Sequence, residues 1–188
     1  APQTIKDQLI ARFREEHATW VALTDRLVDT LAADVACIDT ALVDDALDLL
    51  ARFSSEAHGP KEARLLAALA DAGGAGDGLE SIEAQHEEEP QRFAELQSAW
   101  RRHGEAGIAP ALAAAVAWQD LIVPHVREEN RLLLLRAEDM LSEADWARLG
   151  REIDGIEQQS QRDACDDEFR RLFARFKAGK ADIAVFPN

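Results

Sequence analysis

Two of the five histidines in this 188-residue chain are followed by a glutamate four positions later, as His58-x-x-x-Glu62 and His125-x-x-x-Glu129. Residues four apart on an α-helix lie on one face, so each pair presents an imidazole and a carboxylate in the same direction. Two other histidines stand alone on the apolar faces of other predicted helices: His17 and His86. Four inward-facing helices would gather four imidazoles and two carboxylates, which is a ligand set for two first-row metal ions.

The two glutamates at inward positions need an explanation, and a metal ion supplies one. A charged glutamate on the inward face of a helix destabilises a protein by several kcal/mol unless another charge or a metal ion compensates it. Imidazole combined with carboxylate suits iron, manganese or zinc, whereas an all-oxygen calcium or magnesium site is disfavoured. Six ligand residues, two of them carboxylates able to bridge, indicate two ions with two imidazoles each.

Other known sites match the sequence less well. A ferritin-like carboxylate centre needs two Glu-x-x-His motifs, and only Glu83-x-x-His86 is present. The His-Glu-x-x-His motif of zinc proteases is absent. The loop GGAGDG at 73–78 lacks the lysine and the spacing of a phosphate-binding loop.

Several residues near these motifs are expected to have secondary roles. Glu89, in the acidic run 87–89, lies one turn from His86 and is the best candidate for an additional oxygen ligand. His103 stands beside arginines at a predicted helix end, where we expect it to be exposed or to cap the helix C-terminus. The tryptophans are expected to fill the core: Trp20, Trp100, Trp118 and Trp146.

Helical periodicity dominates the chain, and glycine and proline mark the loops. The four long helices that we predict cover residues 4–33, 40–70, 79–103 and 110–140. Pro90 and Pro124 are expected to bend the third and fourth helices beside their histidines. A C-terminal helix is predicted to begin after Ser142 with a capping box, to break near 155–160 and to resume to about Lys177. The tail at 181–188 is expected to be a partly ordered strap.

These elements predict an all-α, up-down-up-down four-helix bundle with additional C-terminal helices packed on its outside. The length suits one well-buried core, so we expect a single domain over 1–188. The bundle would cover about 4–140 and the helical extension about 142–188.

The composition excludes several classes of function. A formal net charge of −15 and a pI of about 4.7 argue against nucleic-acid and membrane-surface partners. Cys37 and Cys165 form no C-x-x-C pair, and two cysteines make no disulfide framework, which favours a reduced compartment. No apolar run approaches the roughly 20 residues of a membrane span, and APQTIKDQLI lacks a signal-peptide profile. We therefore expect a cytoplasmic protein.

Four segments carry a family resemblance that extends from about residue 4 to 140. They are REEHATW around His17, FSSEAHGPKEARLL around His58 and Glu62, EAQHEEE around His86, and HVREENRLLLLRAEDML around His125 and Glu129. The order histidine, His-x-x-x-Glu, histidine, His-x-x-x-Glu over four successive helices resembles the hemerythrin-like proteins of the HHE cation-binding family.

This resemblance implies a hemerythrin-like bundle around a non-haem centre of two iron ions, with an oxo or hydroxo bridge as a further expectation. The metal ligands that it implies are His17, His58, Glu62, His86, His125 and Glu129. Glu62 and Glu129 would bridge the two ions. His17 and His58 would mainly hold one ion, and the other two histidines the second. No catalytic residue is implied beyond these ligands.

Two positions depart from the oxygen-carrying members of the family. Those proteins have His-x-x-x-His on the third helix, and the second of these positions is Pro90 here. Directly after the histidine equivalent to His58, the family has a second histidine or a glutamate. This chain has Gly59 at that position. The pattern is closer to the four-histidine members. These include proteins linked to iron-centre repair under nitrosative stress, peroxide-decomposing proteins, and the iron- and oxygen-sensing domain of a ubiquitin-ligase subunit.

We therefore expect the chain to bind or turn over a small oxidant, namely dioxygen, hydrogen peroxide or nitric oxide. Fewer histidines per iron leave more open coordination positions, which favours redox turnover over reversible oxygen carriage. The absence of tyrosine excludes a tyrosyl radical. The alternative is an iron or oxygen sensor, or an iron-handling protein for storage or repair, without turnover. A metal-free structural bundle is a third hypothesis, and no protein partner follows from the sequence.

Overall fold

The computed structural model describes residues 3–74, 76, 78–160 and 162–183, and in these ranges all regular structure is helical. The α-helices there are α1 Ile5–Leu31, α2 Thr40–Arg52, α3 Gly59–Asp71, α4 Glu80–Arg101, α5 His103–Ala106, α6 Ala109–Glu128, α7 Leu134–Met140, α8 Glu143–Gln159 and α9 Arg162–Ile183. The short helical turns are a 3₁₀ turn, Val35–Cys37, and two π-helical turns, Phe53–His58 and Glu129–Leu133. None of the helices in these ranges is long and apolar enough to cross a membrane.

The predicted all-α bundle with extra helices is confirmed. Its four long helices are α1, residues 40–71, α4 and residues 109–140, and the two π turns lie inside the second and the fourth. The α6 helix packs closely against both α1 and α4, while α1 also contacts α2. The predicted boundaries agree with the observed ones within about two residues at most ends, as is usual for helix termini.

The first helix shows how the sequence sets both its start and its orientation. Thr4 and Asp7 form a capping box, in which the Asp7 N–H donates to Thr4 Oγ1 over 3.1 Å and the Thr4 N–H donates to Asp7 Oδ2 over 3.2 Å. The apolar face that carries His17 is buried along its whole length: Leu9, Phe13, His17, Trp20, Thr24, Leu27 and Leu31. The apolar stripe therefore fixes which side of α1 meets the other helices.

The buried apolar side chains form two separate clusters along the bundle. One contains Trp20 and Trp118, and the other contains Phe13, Leu65 and Trp146. All four tryptophans are buried, as predicted. The histidines and glutamates of the sequence motifs lie between the two clusters, for example His17 between Phe13 and Trp20 on α1. The bundle thus has a polar layer enclosed by two apolar ones.

The C-terminal helices pack on the outside of the bundle. The α8 helix contacts α1 and α3, and α9 contacts α2. The predicted capping box of Ser142 with Asp145 is present at the start of α8. The predicted break lies later than expected, because Gly155 stays helical, α8 ends at Gln159 and Ser160 is a turn residue. Residues 181–183 of the expected tail belong to α9, and 184–188 lie outside the described residues.

The end of the third bundle helix differs slightly from the prediction. This helix ends at Arg101 instead of residue 103, and the single-turn helix α5 lies between it and α6. The two prolines predicted to bend helices lie inside continuous helices, Pro90 in α4 and Pro124 in α6. Pro90 has no N–H to donate to the carbonyl of His86, four residues earlier. The bends expected at these two prolines stay a prediction.

Candidate metal centre

Six side chains meet in the polar layer, and we call them the histidine–glutamate cluster: His17, His58, Glu62, His86, His125 and Glu129. They come from all four long helices. Five of them are buried, whereas the side chain of His86 is 26% exposed. All six residues singled out by spacing in the sequence are therefore brought together at one place.

Glu129 lies at the middle of the cluster and is fully buried. Its Oε1 is 2.8 Å from His125 Nε2 and 3.2 Å from His86 Nε2. Its Oε2 lies on the other side, 3.2 Å from His17 Nε2. One carboxylate therefore reaches imidazoles of three different helices.

Glu62 lies close to two of the histidines. Its Oε1 is 3.0 Å from His86 Nε2, and its Oε2 is 3.7 Å from His58 Nε2. Two groups of candidate metal-binding atoms result, and the atoms of each group lie within 4.8 Å of one another. The first group is Glu62, His86, His125 and Glu129, and the second is His17, His58 and Glu129.

In three of the four imidazoles, the Nδ1 atom that faces away from the centre of the cluster forms a hydrogen bond with a side-chain oxygen. The hydrogen bonds run from His17 Nδ1 to Asn130 Oδ1 (2.9 Å), from His58 Nδ1 to Glu16 Oε2 (3.0 Å) and from His125 Nδ1 to Gln85 Oε1 (2.8 Å). Because these oxygens can only accept, the ring proton lies on Nδ1. The inner Nε2 then carries the lone pair that a metal ion needs.

The inner atoms of the cluster fit bound metal ions. Within the described part of the chain, five of them are buried and form no well-aligned hydrogen bond, although several lie close to one another: His17 Nε2, His58 Nε2, His125 Nε2, Glu62 Oε1 and Glu129 Oε2. Each unpaired buried polar atom destabilises a fold by about 1–3 kcal/mol. Cations placed among these atoms would satisfy them together, and imidazole with carboxylate is a donor set for iron, manganese or zinc.

The two carboxylates show the same need for a cation. Burial, followed by the charge of Glu129, raises the pKa of Glu62 to about 7. Burial acts against ionisation of Glu129 as well, but contacts with the imidazoles of His125 and His86 hold its pKa well below the ordinary value. Without a metal ion, the cluster therefore retains a proton on one of its two glutamates near neutral pH.

The imidazoles differ in their readiness to bind metal. Burial is the main cause that lowers the pKa of His17 to about 4, so His17 is neutral at physiological pH. Burial acts in the same direction on His86, but Glu129 and Glu62 outweigh it and raise its pKa to about 10. A protonated His86 lies between the two carboxylates and takes the place of a cation. Metal binding must displace that proton.

Four residues around the cluster were missed by the sequence reasoning: Glu16, Lys61, Gln85 and Asn130. Three of them orient imidazoles, and Lys61 binds Glu16. Each is the chain neighbour of a predicted ligand and is polar at the border of an apolar face. This adjacency to a predicted ligand could have pointed to the four residues. Their partners could not be predicted from spacing, because each partner lies on a different helix.

Lys61 joins the cluster to the C-terminal extension. It is only 2% exposed, forms an ion pair with Glu16, and lies 3.3 Å from Glu157 Oε1 on α8. Arg12 also binds Glu157, over 3.1 Å. Burial opposes ionisation of Glu16, but the hydrogen bond from His58 and the charge of Lys61 outweigh it and lower its pKa to about 2. Glu16 is thus a fixed anion behind His58.

Replacing Lys61 by methionine is expected to destabilise the metal-free protein. Glu16 and Glu157 would lose the ammonium group between them, and breaking a buried pair costs about 3–5 kcal/mol. We expect about 2–4 kcal/mol here, because both carboxylates keep some contact with solvent. Urea denaturation of the metal-free variant measures the effect without a contribution from metal.

The matched control is Lys6→Met. Lys6 pairs with Glu138 over 3.5 Å, but both side chains are more than a third exposed. Such a surface pair contributes about 0–1 kcal/mol. Equal stabilities of the Lys61→Met and Lys6→Met variants would contradict the structural role given to Lys61.

Gly59 is explained by the π turn that ends at His58. Its N–H donates to the carbonyl of Ser54, five residues earlier, instead of four as in an α-helix. A Cβ atom at Gly59 would collide with that carbonyl oxygen. The glycine found beside His58, in place of a further histidine or glutamate, therefore allows the helix to widen next to this imidazole.

The structure also places the two secondary residues. Glu89 accepts a hydrogen bond from Ser54 Oγ and belongs to neither group of candidate metal-binding atoms among the described residues. His103 Nδ1 donates to the carbonyl of Trp100 over 2.6 Å, and its ring stacks on that indole with centroids 4.0 Å apart. His103 is thus a cap at the end of α4, one of the two roles predicted for it.

Comparison with known proteins agrees with this geometry. The model of the hemerythrin HHE cation binding domain matches residues 8–137, which include every member of the histidine–glutamate cluster. No curated protein and no solved structure matches the chain. The matched span covers most of the four long helices and leaves α8 and α9 outside it. The chain belongs to the hemerythrin HHE cation-binding family, and its histidine–glutamate cluster supports a metal-binding role.

Proposed function

We propose that this chain holds two non-haem iron ions in the histidine–glutamate cluster and uses them to bind and reduce a small oxidant. The observation that carries the proposal is the pair of overlapping atom groups that share Glu129. Each group contains two imidazoles and at least one carboxylate oxygen, and the shared glutamate is suited to bridge two ions. Glu62, which contacts a histidine of each group, would be the second bridge.

The number of protein ligands favours reduction of a bound oxidant over reversible carriage of oxygen. Two imidazoles and two shared carboxylates give each ion about four protein ligands, whereas iron readily takes six. Two adjacent ferrous ions would supply the two electrons that reduce a peroxide bond. The remaining positions would be available to water, hydroxide or substrate.

The residues around the cluster determine from which side water or a ligand would reach the open coordination positions. Trp20 lies with its ring centroid 5.3 Å from that of His58 and 6.3 Å from that of His125, and it is almost fully buried. This indole excludes water from one end of the cluster. Among the described residues no oxygen holds the outer nitrogen of His86, and His86 is also the exposed member of the cluster. The side of His86 is therefore the side by which a ligand would reach the metal.

The reduced iron protein is expected to oxidise within minutes in air and to show no long-lived oxy spectrum. Open positions on both ions favour reduction of bound oxygen over its reversible release. Optical spectra after rapid mixing with air-saturated buffer or hydrogen peroxide measure this. A stable oxygenated form that releases oxygen under vacuum would restore the carrier interpretation.

The second candidate is a sensor or an iron-handling protein, and one observation favours it. The buried carboxylates and unpaired imidazole nitrogens destabilise the fold without metal, and the cluster links all four long helices. Metal occupancy could thus set folding and the binding of a partner. Catalytic consumption of peroxide by the iron-loaded protein supports turnover. Folding that depends on iron, with no such consumption, supports the sensor.

A further inference from the structure

A cavity of about 500 Å³ leads from the protein surface to the histidine–glutamate cluster. It lies between the second long helix (40–71) and α4, and it reaches three members of the cluster: His58, Glu62 and His86. Cavities of about 300–1,000 Å³ are the size that small organic ligands occupy. A diatomic oxidant or hydrogen peroxide has the bulk of one or two water molecules, at about 30 Å³ each. The cavity is much larger than those oxidants require.

The lining of the cavity is mainly apolar. Its walls include Trp20 from α1, Leu66 from α3, and Pro90 and Phe93 from α4. Apolar walls contribute little to binding a polar oxidant, but they favour burial of a hydrocarbon group. The metal-facing end is polar and the rest is apolar, so the cavity matches a molecule with one polar and one apolar end.

The charge on the cavity wall outside the cluster is negative. Glu89 lines it, and its carboxylate accepts the Ser54 hydroxyl hydrogen bond. The whole chain carries a formal net charge of −15. Glu89 and the net negative charge of the chain disfavour an anionic group at the cavity wall, away from the metal-facing end. A neutral molecule fits the cavity better.

We propose that this cavity binds the organic group of a neutral alkyl or aryl hydroperoxide, with the hydroperoxide end towards His86. The inference rests on the proposed function and names its substrate class. Reduction breaks the O–O bond, consumes two electrons, one from each ferrous ion, and two protons, and yields an alcohol and water. The product alcohol therefore keeps the group that the cavity recognises.

The first test is binding without turnover. Cumyl alcohol, the product of cumene hydroperoxide, is titrated into the metal-loaded protein by calorimetry. We expect saturable binding with a dissociation constant below about 1 mM. The variant Ala63→Trp, which places a large side chain at the cavity wall, is expected to weaken binding at least about tenfold. Ala67→Trp is the matched control, because Ala67 is exposed on the same helix and does not line the cavity.

The second test compares two peroxides in a single turnover of the reduced iron protein. We expect cumene hydroperoxide to oxidise the protein faster than hydrogen peroxide. The ratio of the two rates should fall at least about tenfold in Ala63→Trp and stay unchanged in Ala67→Trp. Oxidation by hydrogen peroxide without binding of cumyl alcohol would overturn this inference and leave the proposed function standing. Failure of both peroxides to react would overturn the proposed function itself.

Discussion

Replacing Glu129 by glutamine is expected to remove most of the metal from both halves of the cluster. The fully buried Glu129 carboxylate belongs to both groups of candidate ligand atoms, and the amide loses the charge that offsets a cation. Even outer partners of metal ligands change affinity by about 10–100-fold, so we expect metal content below about a tenth of wild type. Metal analysis of the purified variant measures it.

Glu62→Gln is expected to lower the metal content less than Glu129→Gln does. Glu62 belongs to one group only and lies 3.7 Å from His58 Nε2. Glu87→Gln is the control, because Glu87 is exposed beside His86. Glutamine preserves the shape of the side chain, so the metal-free Glu129 variant should still fold, with a melting temperature close to that of the metal-free wild type. Full metal occupancy in both cluster variants would refute the bridging roles.

Removal of metal is expected to lower the melting temperature by about 8–16 °C at pH 8. A ligand present at 1,000 times its dissociation constant contributes about 4 kcal/mol to stability. In a chain of this length each kcal/mol shifts the melting temperature by about 2–4 °C. Calorimetric scans of the iron-loaded protein before and after treatment with a chelator measure the difference. His103→Ala should behave like wild type, because His103 caps α4 and lies outside the cluster.

The difference in melting temperature between the iron-loaded and the metal-free protein should shrink as the pH falls. In the metal-free protein the pKa of Glu62 is raised from 4.5 to about 7, and that of His86 from 6.5 to about 10. Below about pH 6.5 the extra proton on Glu62 is offset by the proton that His17, with its pKa lowered to about 4, does not bind. The folded state therefore binds more protons than the unfolded state between about pH 6.5 and 10, and the metal-free protein loses stability as the pH rises through this range. Metal must displace these protons, so its stabilisation grows with pH. A difference that is constant between pH 5 and pH 8 would contradict this linkage.

The sequence predicted the bundle and the members of the cluster because both follow from local spacing. The apolar stripe of α1 places His17 between Phe13 and Trp20, and all three residues are buried. Charged glutamates at inward positions then indicate a cation. These arguments need only the period of the helix and the chemistry of each side chain.

The π turn at Phe53–His58 was missed, although a signal was present. Leu50 and Glu62 are both buried and twelve positions apart. At 3.6 residues per turn, that is about 3.3 turns, which would separate the two side chains by roughly 120°. One extra residue in a π turn removes most of this difference. The Gly59–Pro60 step just after the turn is the second signal.

The oxygens behind the imidazoles could not be predicted from periodicity. Asn130 lies on a different helix from His17, and the same holds for Glu16 and His58. These pairs depend on how neighbouring helices are rotated about their axes, and helical spacing does not specify that rotation. The contact of Lys61 with α8 depends further on where the C-terminal helices pack.

A crystal structure of the iron-loaded protein, with anomalous scattering recorded at the iron edge, tests the central claim most directly. We predict two iron peaks in the polar layer, about 3.5–4 Å apart, with Glu129 in contact with both. One ion should also contact His17 and His58, and the other the remaining two histidines. A single iron peak, two peaks away from the histidine–glutamate cluster, or an empty cluster in protein purified with iron supplied would contradict the account.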